Sequence, residues 1–445
     1  MSWKNVKLGD ILTESKEISE FPNPDRRITV RLKVLGVEKR GLENEVEGAT
    51  KQYIRKAGQF IYGKQNFHKG AFGIVPQELN NFESSSDLPA FDVDKSCLPE
   101  FIFYFFKQGN FYLELSKIAS GVATQRINTA QLFQLELLLP DIKTQKKLIA
   151  NIESLETNGG AISTELTHQL HLVKKLRQQL LQDAVQGKLV EQNKKDEPAS
   201  ELLKKIKAER LNRDAALARP KKEKELAPIK PEEIPFEIPE NWVWCRLGEI
   251  LFELKYGTSQ SCDYDNTKNS PVLRIPNVSS GILNGDDLKY TNLNSKERID
   301  LALEENDILI IRSNGSRDLV GRTVLVHSEF IGFAYAGYLI RLRFNKKLIG
   351  SKYLLKATSA PYFRELIETP LRTTVGINNI NTEEISNLLI PFPPILEQDR
   401  ISTKVEELMQ YCNELEASIK QSESQNVKLL QQVLREALRK EPVEA

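Results

Sequence analysis

The stretch WVWCRLGEIL (242–251) repeats WKNVKLGDIL (3–12): each opens on Trp and runs on as basic residue, Leu, Gly, acid, Ile, Leu. The echo continues far downstream. RINTAQLFQLELLLPDIKTQKKLIANIESL (126–155) aligns with NINTEEISNLLIPFPPILEQDRISTKVEEL (379–408), placing Ile127-Asn128-Thr129 on Ile380-Asn381-Thr382 and Pro140 on Pro393. Ile142, Gln145 and Glu153 fall on Ile395, Gln398 and Glu406, and KLRQQLLQDAV (175–185) meets KLLQQVLREAL (428–438) without a gap. The opening match needs a slightly smaller shift, so the copies differ by an insertion between these points. This is a tandem duplication, and it restricts the chain to folds built twice from one unit.

Each copy divides into a variable first part and a helical second part. In the second copy the apolar positions Ile401, Val405, Leu408, Cys412, Leu415, Ile419, Leu429 and Val433 advance by alternating steps of four and three, with Ser422 and Asn426 interrupting. That spacing predicts a coiled-coil seam. The first copy gives Leu148, Ile152, Leu155, Gly159, Ile162, Leu166, Val173, Leu176 and Leu180, and Gly159-Gly160 is expected to loosen or kink that helix. Each helix should hold about 40 residues and reach roughly 60 Å. Such a stripe needs a partner, and the other copy is the obvious one, in antiparallel pairing.

The expected organisation is therefore α+β, with two tandem domains of similar fold over 1–140 and 242–393. A central helical region covers 141–215, a Pro-rich connector 216–241, and a C-terminal helix 394–440. In the central region Ser200 is a candidate N-cap for a short amphipathic helix carrying Leu202, Leu203 and Ile206. The connector carries Pro220, Pro228, Pro231, Pro235 and Pro239, which favour extended chain over helix. In the globular parts, RITVRLKVLGV (27–37), NDILIIRSNGS (306–316) and HSEFIGFAYAGYLIRLRF (327–344) read as strands, and 98–118 and 351–367 as corresponding helix pairs. The globular parts have diverged more than the helices, which suggests two versions of one job.

Several chemistries are missing. GQFIYGKQ (58–65) approaches a phosphate-binding loop, but Gln65 stands where a hydroxyl must hold Mg²⁺, and the counterpart NDILIIRS (306–313) has neither glycine. His168 and His171 lie one helical turn apart without further ligands nearby, so no metal site is expected. Cys97, Cys245, Cys262 and Cys412 show no C-x-x-C spacing and suit a reducing cytoplasm. No apolar run approaches the ~18 residues of a membrane span. The chain reads as non-catalytic. A net charge of +1 means that any nucleic-acid contact must come from local patches or partner subunits.

Such patches stand at corresponding turns. Lys64 and Asn66 in GKQNFHKG, with His68 and Lys69, match Arg312 and Asn314 in RSNGSRDLVGR, with Arg317 and Arg322. These side-chain types read base edges and hold phosphates, so all eight are candidate DNA contacts.

The central run LRQQLLQDAVQGKLVEQNKKDEPASELLKKIKAER (176–210), followed by IPENWVWCRLGEI (238–250), resembles the specificity subunits of type I restriction–modification systems. The duplicated W-x-x-x-[KR]-L-G-[DE]-I-L start and the helices after LLLP (137–140) and IPFP (390–393) agree, and the likeness covers nearly the whole chain. It implies two target recognition domains, each reading half of a split site in double-stranded DNA, and two long helices forming an antiparallel coiled-coil ruler. It also implies two methyltransferase subunits that bring S-adenosylmethionine and methylate adenine, and an ATP-driven restriction subunit, with Mg²⁺ and both cofactors on the partners rather than here. The alternative from the residues alone is a duplicated coiled-coil adaptor that assembles proteins without touching DNA.

Overall fold

The structure, a computed structural model, describes residues 3–41, 51–121, 125–216, 226–368, 372–374 and 376–438. Pro220 of the expected connector and the end of the expected C-terminal helix lie outside these residues. The chain divides into two compact units, one made of residues 1–169 and 418–445, the other of 170–417.

In the first unit, strand Lys4–Lys7 pairs antiparallel with Glu136–Leu139, so the start of the copy is tied to the strand that precedes its long helix. A four-stranded sheet follows the order Leu12–Glu14, Ala90–Val93, Phe60–Tyr62, Phe72–Ile74, every pairing antiparallel. Helix Pro99–Lys107 lays Phe101, Ile102, Tyr104 and Phe106 into the core over it. That core is aromatic: Phe67 meets Tyr62 at 4.7 Å and Phe106 at 4.8 Å between ring centres. A hairpin, Ile28–Val30 with Val37–Lys39, and an antiparallel pair, Gln52–Arg55 with Phe82–Ser85, also belong to the unit.

The second unit repeats the plan. Strand Val243–Arg246 pairs with Leu389–Phe392, and the four-stranded sheet runs Leu251–Tyr256, Leu339–Phe344, Ile308–Ile311, Thr323–Leu325. Its sheet packs aliphatic side chains where the first packs aromatic ones, with Ile308, Ile310, Ile340 and Leu342 fully buried, beside Tyr353, Tyr362 and Phe363 from the outer helices. The predicted helix pair appears as Ser351–Ser359 and Pro361–Glu368. The central helix is Ala199–Ala216, so Ser200 lies inside it rather than capping it. In the described part of the connector the one short helix is a single turn at Pro231–Glu233, as its prolines require.

Each unit passes directly into a helix of 44 residues, Ile142–Val185 in the first copy and Ile395–Leu438 in the second. Proline before each start ends the strand, and Asp141 caps the first helix by accepting from the Thr144 amide at 2.9 Å. That amide bond holds the Asp141 carboxyl below the usual range. One turn in, the same device occurs twice. Gln145, fully buried, donates to Pro140 O at 2.8 Å and Ser96 O at 2.9 Å and accepts from the Leu98 amide at 2.8 Å. Gln398, equally buried, donates to Pro393 O at 2.9 Å and accepts from the Gly350 amide at 2.8 Å. Each glutamine thus joins the strand exit, the start of its own helix and the start of the domain's outer helix.

The buried stripe on the long helices departs from the expected seam. Ile152, Leu166, Val173, Ile401, Val405 and Ile419 are buried, and Leu148, Leu180, Leu408 and Val433 half-buried. Leu155, Ile162, Leu176, Leu415 and Leu429, expected inside, are 39–60 % exposed. Gly159 and Cys412, both expected in the seam, are buried, and beside them lie residues outside it at corresponding positions of the copies: Gln145 and Gln398, Glu156 and Met409, Ser163 and Glu416, Arg177 and Leu430. Apolar periodicity marks either edge of such a stripe, and here hydrogen bonds make the polar edge the inner one. The helix also runs unbroken through Gly159-Gly160. Gly159 gives room instead of a kink, since a Cβ there would stand 2.5 Å from Leu430 Cδ1.

Replacing Gln398 with Leu keeps the volume but leaves the Gly350 amide and Pro393 carbonyl unpaired in a dry site. We expect a loss of about 2–6 kcal/mol, at about 1–3 kcal/mol for each of the two orphaned groups. Urea unfolding of Gln398→Leu measures it, and a midpoint equal to that of the parent would deny the clamp its structural role.

Candidate nucleic-acid interface

In the first unit the turn after Phe60–Tyr62 carries Lys64, Asn66 and His68, all half-buried, and the exposed Lys69. Phe67, sunk in the aromatic core, anchors this turn. The Lys64 amide donates to Asp87 O at 2.9 Å, and its carbonyl accepts from the Ile127 amide at 2.9 Å. Asn66 O accepts from the amides of Lys69 at 2.9 Å and Ala71 at 3.1 Å, closing the turn. Burial, then the neighbouring Lys69, lowers the proton affinity of His68, whose Nδ1 is buried with no hydrogen-bond partner.

The second unit places Arg312 in the equivalent frame. Its carbonyl accepts from the Ile380 amide at 2.9 Å, as Lys64 accepts from Ile127, so the two side chains leave matching points of the two copies. The Arg312 guanidinium lies over the Tyr256 ring, 4.9 Å from its centre, and its Nε has no hydrogen-bond partner. Stacking fixes the plane of the group while leaving its donors available. It faces a cleft of about 910 Å³ that Gln260, Arg274, Tyr338 and Asn379 also line. Arg274 there is tied to Asp287 at 2.6 Å.

The other three sequence candidates of this unit have structural partners. Asn314 turns its Oδ1 to the Ser316 amide at 2.7 Å. Arg317 lies 3.7 Å from Glu368 in an exposed pair. Arg322 donates to Ser279 O and lines a separate cavity of about 530 Å³ beside Thr323 and Arg364. The structure brings Arg312, but not Arg317 or Arg322, to the 910 Å³ cleft. Tyr256, Gln260, Tyr338 and Asn379 escaped the sequence reading because they come from three separated segments, 256–260, 338 and 379, that only the fold assembles. Among the described residues, no group of three or more His, Cys, Asp or Glu converges as metal ligands. No helix there is long and apolar enough to cross a membrane.

The model of the type I restriction modification DNA specificity domain matches residues 2–171 and again 239–422. The chain belongs to this family. Both matches begin at the start of a copy and reach well into its long helix. The chain is 33 % identical over 277 residues to the EcoAI type I restriction enzyme specificity subunit of Escherichia coli, covering 61 % of this chain and 46 % of that protein. Against the EcoKI specificity subunit of Escherichia coli strain K12 it is 24 % identical over 349 residues, 78 % of this chain and 66 % of the relative. The matched region thus spans about half the length of the first of these relatives.

Solved structures share the fold. The HsdS subunit of Thermoanaerobacter tengcongensis superposes with a TM-score of 0.56 at 15 % identity, covering 98 % of this chain and 97 % of the other. A chain solved in work on assembly and conformational transition of a type I R-M system gives 0.59 at 16 % identity, covering 98 % of each.

The two arginines should separate in a stability measurement. Arg322→Ala removes a charged hydrogen bond to Ser279 O and should cost about 1.5–3 kcal/mol. Arg312→Ala removes only a stack worth about 0.5–1 kcal/mol. Thermal unfolding of both variants checks this order, and a larger loss for Arg312 would show that its role is structural.

Proposed function

We propose that this chain is the DNA-addressing subunit of a type I restriction–modification complex, with recognition domains over 1–140 and 242–393 that each read one half of a bipartite site. The observation that carries this reading is the matched pair Lys64 and Arg312. One frame, held by the same backbone bond from Ile127 or Ile380, presents a different cationic side chain in each copy. Repeated frame with exchanged reading group is what recognition of two unlike short sequences requires. Arg312, planar and held over Tyr256, suits the two acceptors of a guanine edge. The family match favours this reading over an adaptor that never touches DNA.

The two long helices form the spacer in this proposal, as an antiparallel coiled coil. Contacts inside each unit support it. In the first unit Asn426 donates to Gly159 O at 2.9 Å and Ser163 Oγ at 3.0 Å. In the second, Arg177 donates to Asn413 at 2.8 Å and Glu416 at 2.8 Å. Numbers rise on one helix where they fall on the other. At 1.5 Å per residue a helix of this length reaches about 66 Å, close to two turns of duplex at ~34 Å each.

The outward leucines and isoleucine, Leu155, Ile162, Leu176, Leu415 and Leu429, then serve as the landing strip for two methyltransferase subunits. Those partners carry S-adenosylmethionine and methylate adenine, and an ATP- and Mg²⁺-dependent restriction subunit cuts unmodified DNA. This chain supplies the address and binds no cofactor, acting in the cytoplasm.

Exchange of residues 1–140 for the same segment of a relative, in the complex with its methyltransferase subunits, tests the division of labour. One half of the methylated motif should change while the other half and the gap persist. A motif altered in both halves, or in neither, would contradict it. In the same complex Arg312→Ala should relax one base position of the half-site read by 242–393, at a cost of about 1–3 kcal/mol in binding.

A further inference from the structure

The hairpin formed by Ile28–Val30 and Val37–Lys39 concentrates charge that the chain as a whole lacks. From Asp25 to Arg40 it carries Arg26, Arg27, Arg31, Lys33, Lys39 and Arg40 against Asp25 and Glu38, in a protein of net charge +1. Arg27 approaches Glu83 at 3.8 Å and Arg31 pairs with Glu38 at 2.9 Å. Arg26, Lys33, Lys39 and Arg40 are exposed, and no carboxylate among the described residues pairs with them.

At the tip Leu32 and Leu35 stand 43 % and 67 % exposed. A loose loop would fold such side chains inward, but this tip is held. The Lys33 amide donates to Lys69 O at 2.9 Å, the Val34 amide to Gly70 O at 2.8 Å, and the Arg31 amide to Gly36 O at 2.9 Å. Lys33 and Val34 both sit at φ 58°, a left-handed conformation that a β-branched residue such as Val34 adopts only when its surroundings impose it. Gly70 permits the contact, since a Cβ there would lie 2.9 Å from Val34 N. The leucines are therefore presented outward by the same turn that carries Lys64, His68 and Lys69.

We propose that this hairpin enters the major groove of the half-site read by the first recognition domain, Leu32 and Leu35 meeting thymine methyl groups while Arg26, Lys33, Lys39 and Arg40 hold flanking phosphates. The inference rests on the DNA-reading function above. A two-stranded ribbon fits a groove ~12 Å wide, and the thymine methyl is the apolar feature that the groove displays. Lys33 beside the leucines, and Arg26, Lys39 and Arg40 at the open end of the hairpin, match the phosphates that line it. An exposed apolar tip on a hairpin that carries Lys33 at the tip and Arg26, Lys39 and Arg40 at its open end, none with a carboxylate partner among the described residues, suits DNA better than an ordinary protein surface, where those cations would need carboxylates.

The test uses the full chain assembled with its methyltransferase subunits, on duplexes carrying its methylated motif. The double variant Leu32→Ala/Leu35→Ala should bind about tenfold more weakly. Replacing half-site thymines one at a time with deoxyuridine should weaken the parent at one position or more and leave the double variant indifferent there. The triple variant Lys33→Ala/Lys39→Ala/Arg40→Ala should lower the slope of log K against log salt by about two to three. Parental affinity in the double variant, a parental salt slope in the triple variant, or deoxyuridine sensitivity that survives loss of the leucines would each overturn the proposal. Loss of complex assembly with DNA affinity intact would overturn it too, by making the hairpin a protein contact. A parent complex with no preference for its motif would instead sink the DNA-reading function itself.

Discussion

Everything in this molecule depends on one buried glutamine, used twice. Gln145 and Gln398 stand one turn inside the long helices and hydrogen-bond back to the strand exits and out to the next helix of the domain. A helix of 44 residues joined to a domain by a flexible link would transmit no geometry. Clamped through a dry side-chain amide, its direction is fixed by the domain it leaves. Because the amide has both donor and acceptor ends, it satisfies two backbone groups that no apolar residue of similar size could.

The helices show the same economy of polar groups. Their inner stripe includes Ser163, Arg177, Glu416 and Asn426, each bonded to the other helix, and Leu155, Ile162, Leu176, Leu415 and Leu429 beside it are exposed. Polar seam positions weaken a helix pair but favour one register over its neighbours. For the spacer we propose, register matters more than strength, because a slip of one turn would change the distance it spans. On that proposal the exposed aliphatic residues remain available to partner subunits without disturbing the register.

The duplication, the α+β class, the paired helices at 98–118 and 351–367 and the positions of the long helices were all legible in the sequence, because they follow from repetition and periodicity. The inner face of the helices was not. Leu155, Ile162, Leu176, Leu415 and Leu429 made the stronger apolar pattern, and only the hydrogen bonds at Gly159, Ser163 and Asn426 show that the neighbouring, more polar edge is the buried one. At the candidate interface, residue chemistry singled out Arg312 together with Asn314, Arg317 and Arg322, yet could not separate a stacked arginine with free donors from side chains already engaged within the fold. The segment 27–37 reads in the sequence as a strand, and its folding into a charged hairpin with its tip at 31–36 depends on the left-handed backbone there. Its outward leucines emerge only from the left-handed backbone at Lys33 and Val34.

The central claim is that two diverged domains on one duplicated frame read the two halves of a single split site. Its most direct test is a genome-wide map of N6-methyladenine in the native host, with and without this gene. The account predicts that deletion erases one motif, two short defined sequences separated by a fixed gap, and leaves other methylation in place. Survival of every methylated motif after deletion, in cells shown to express the chain, would contradict it.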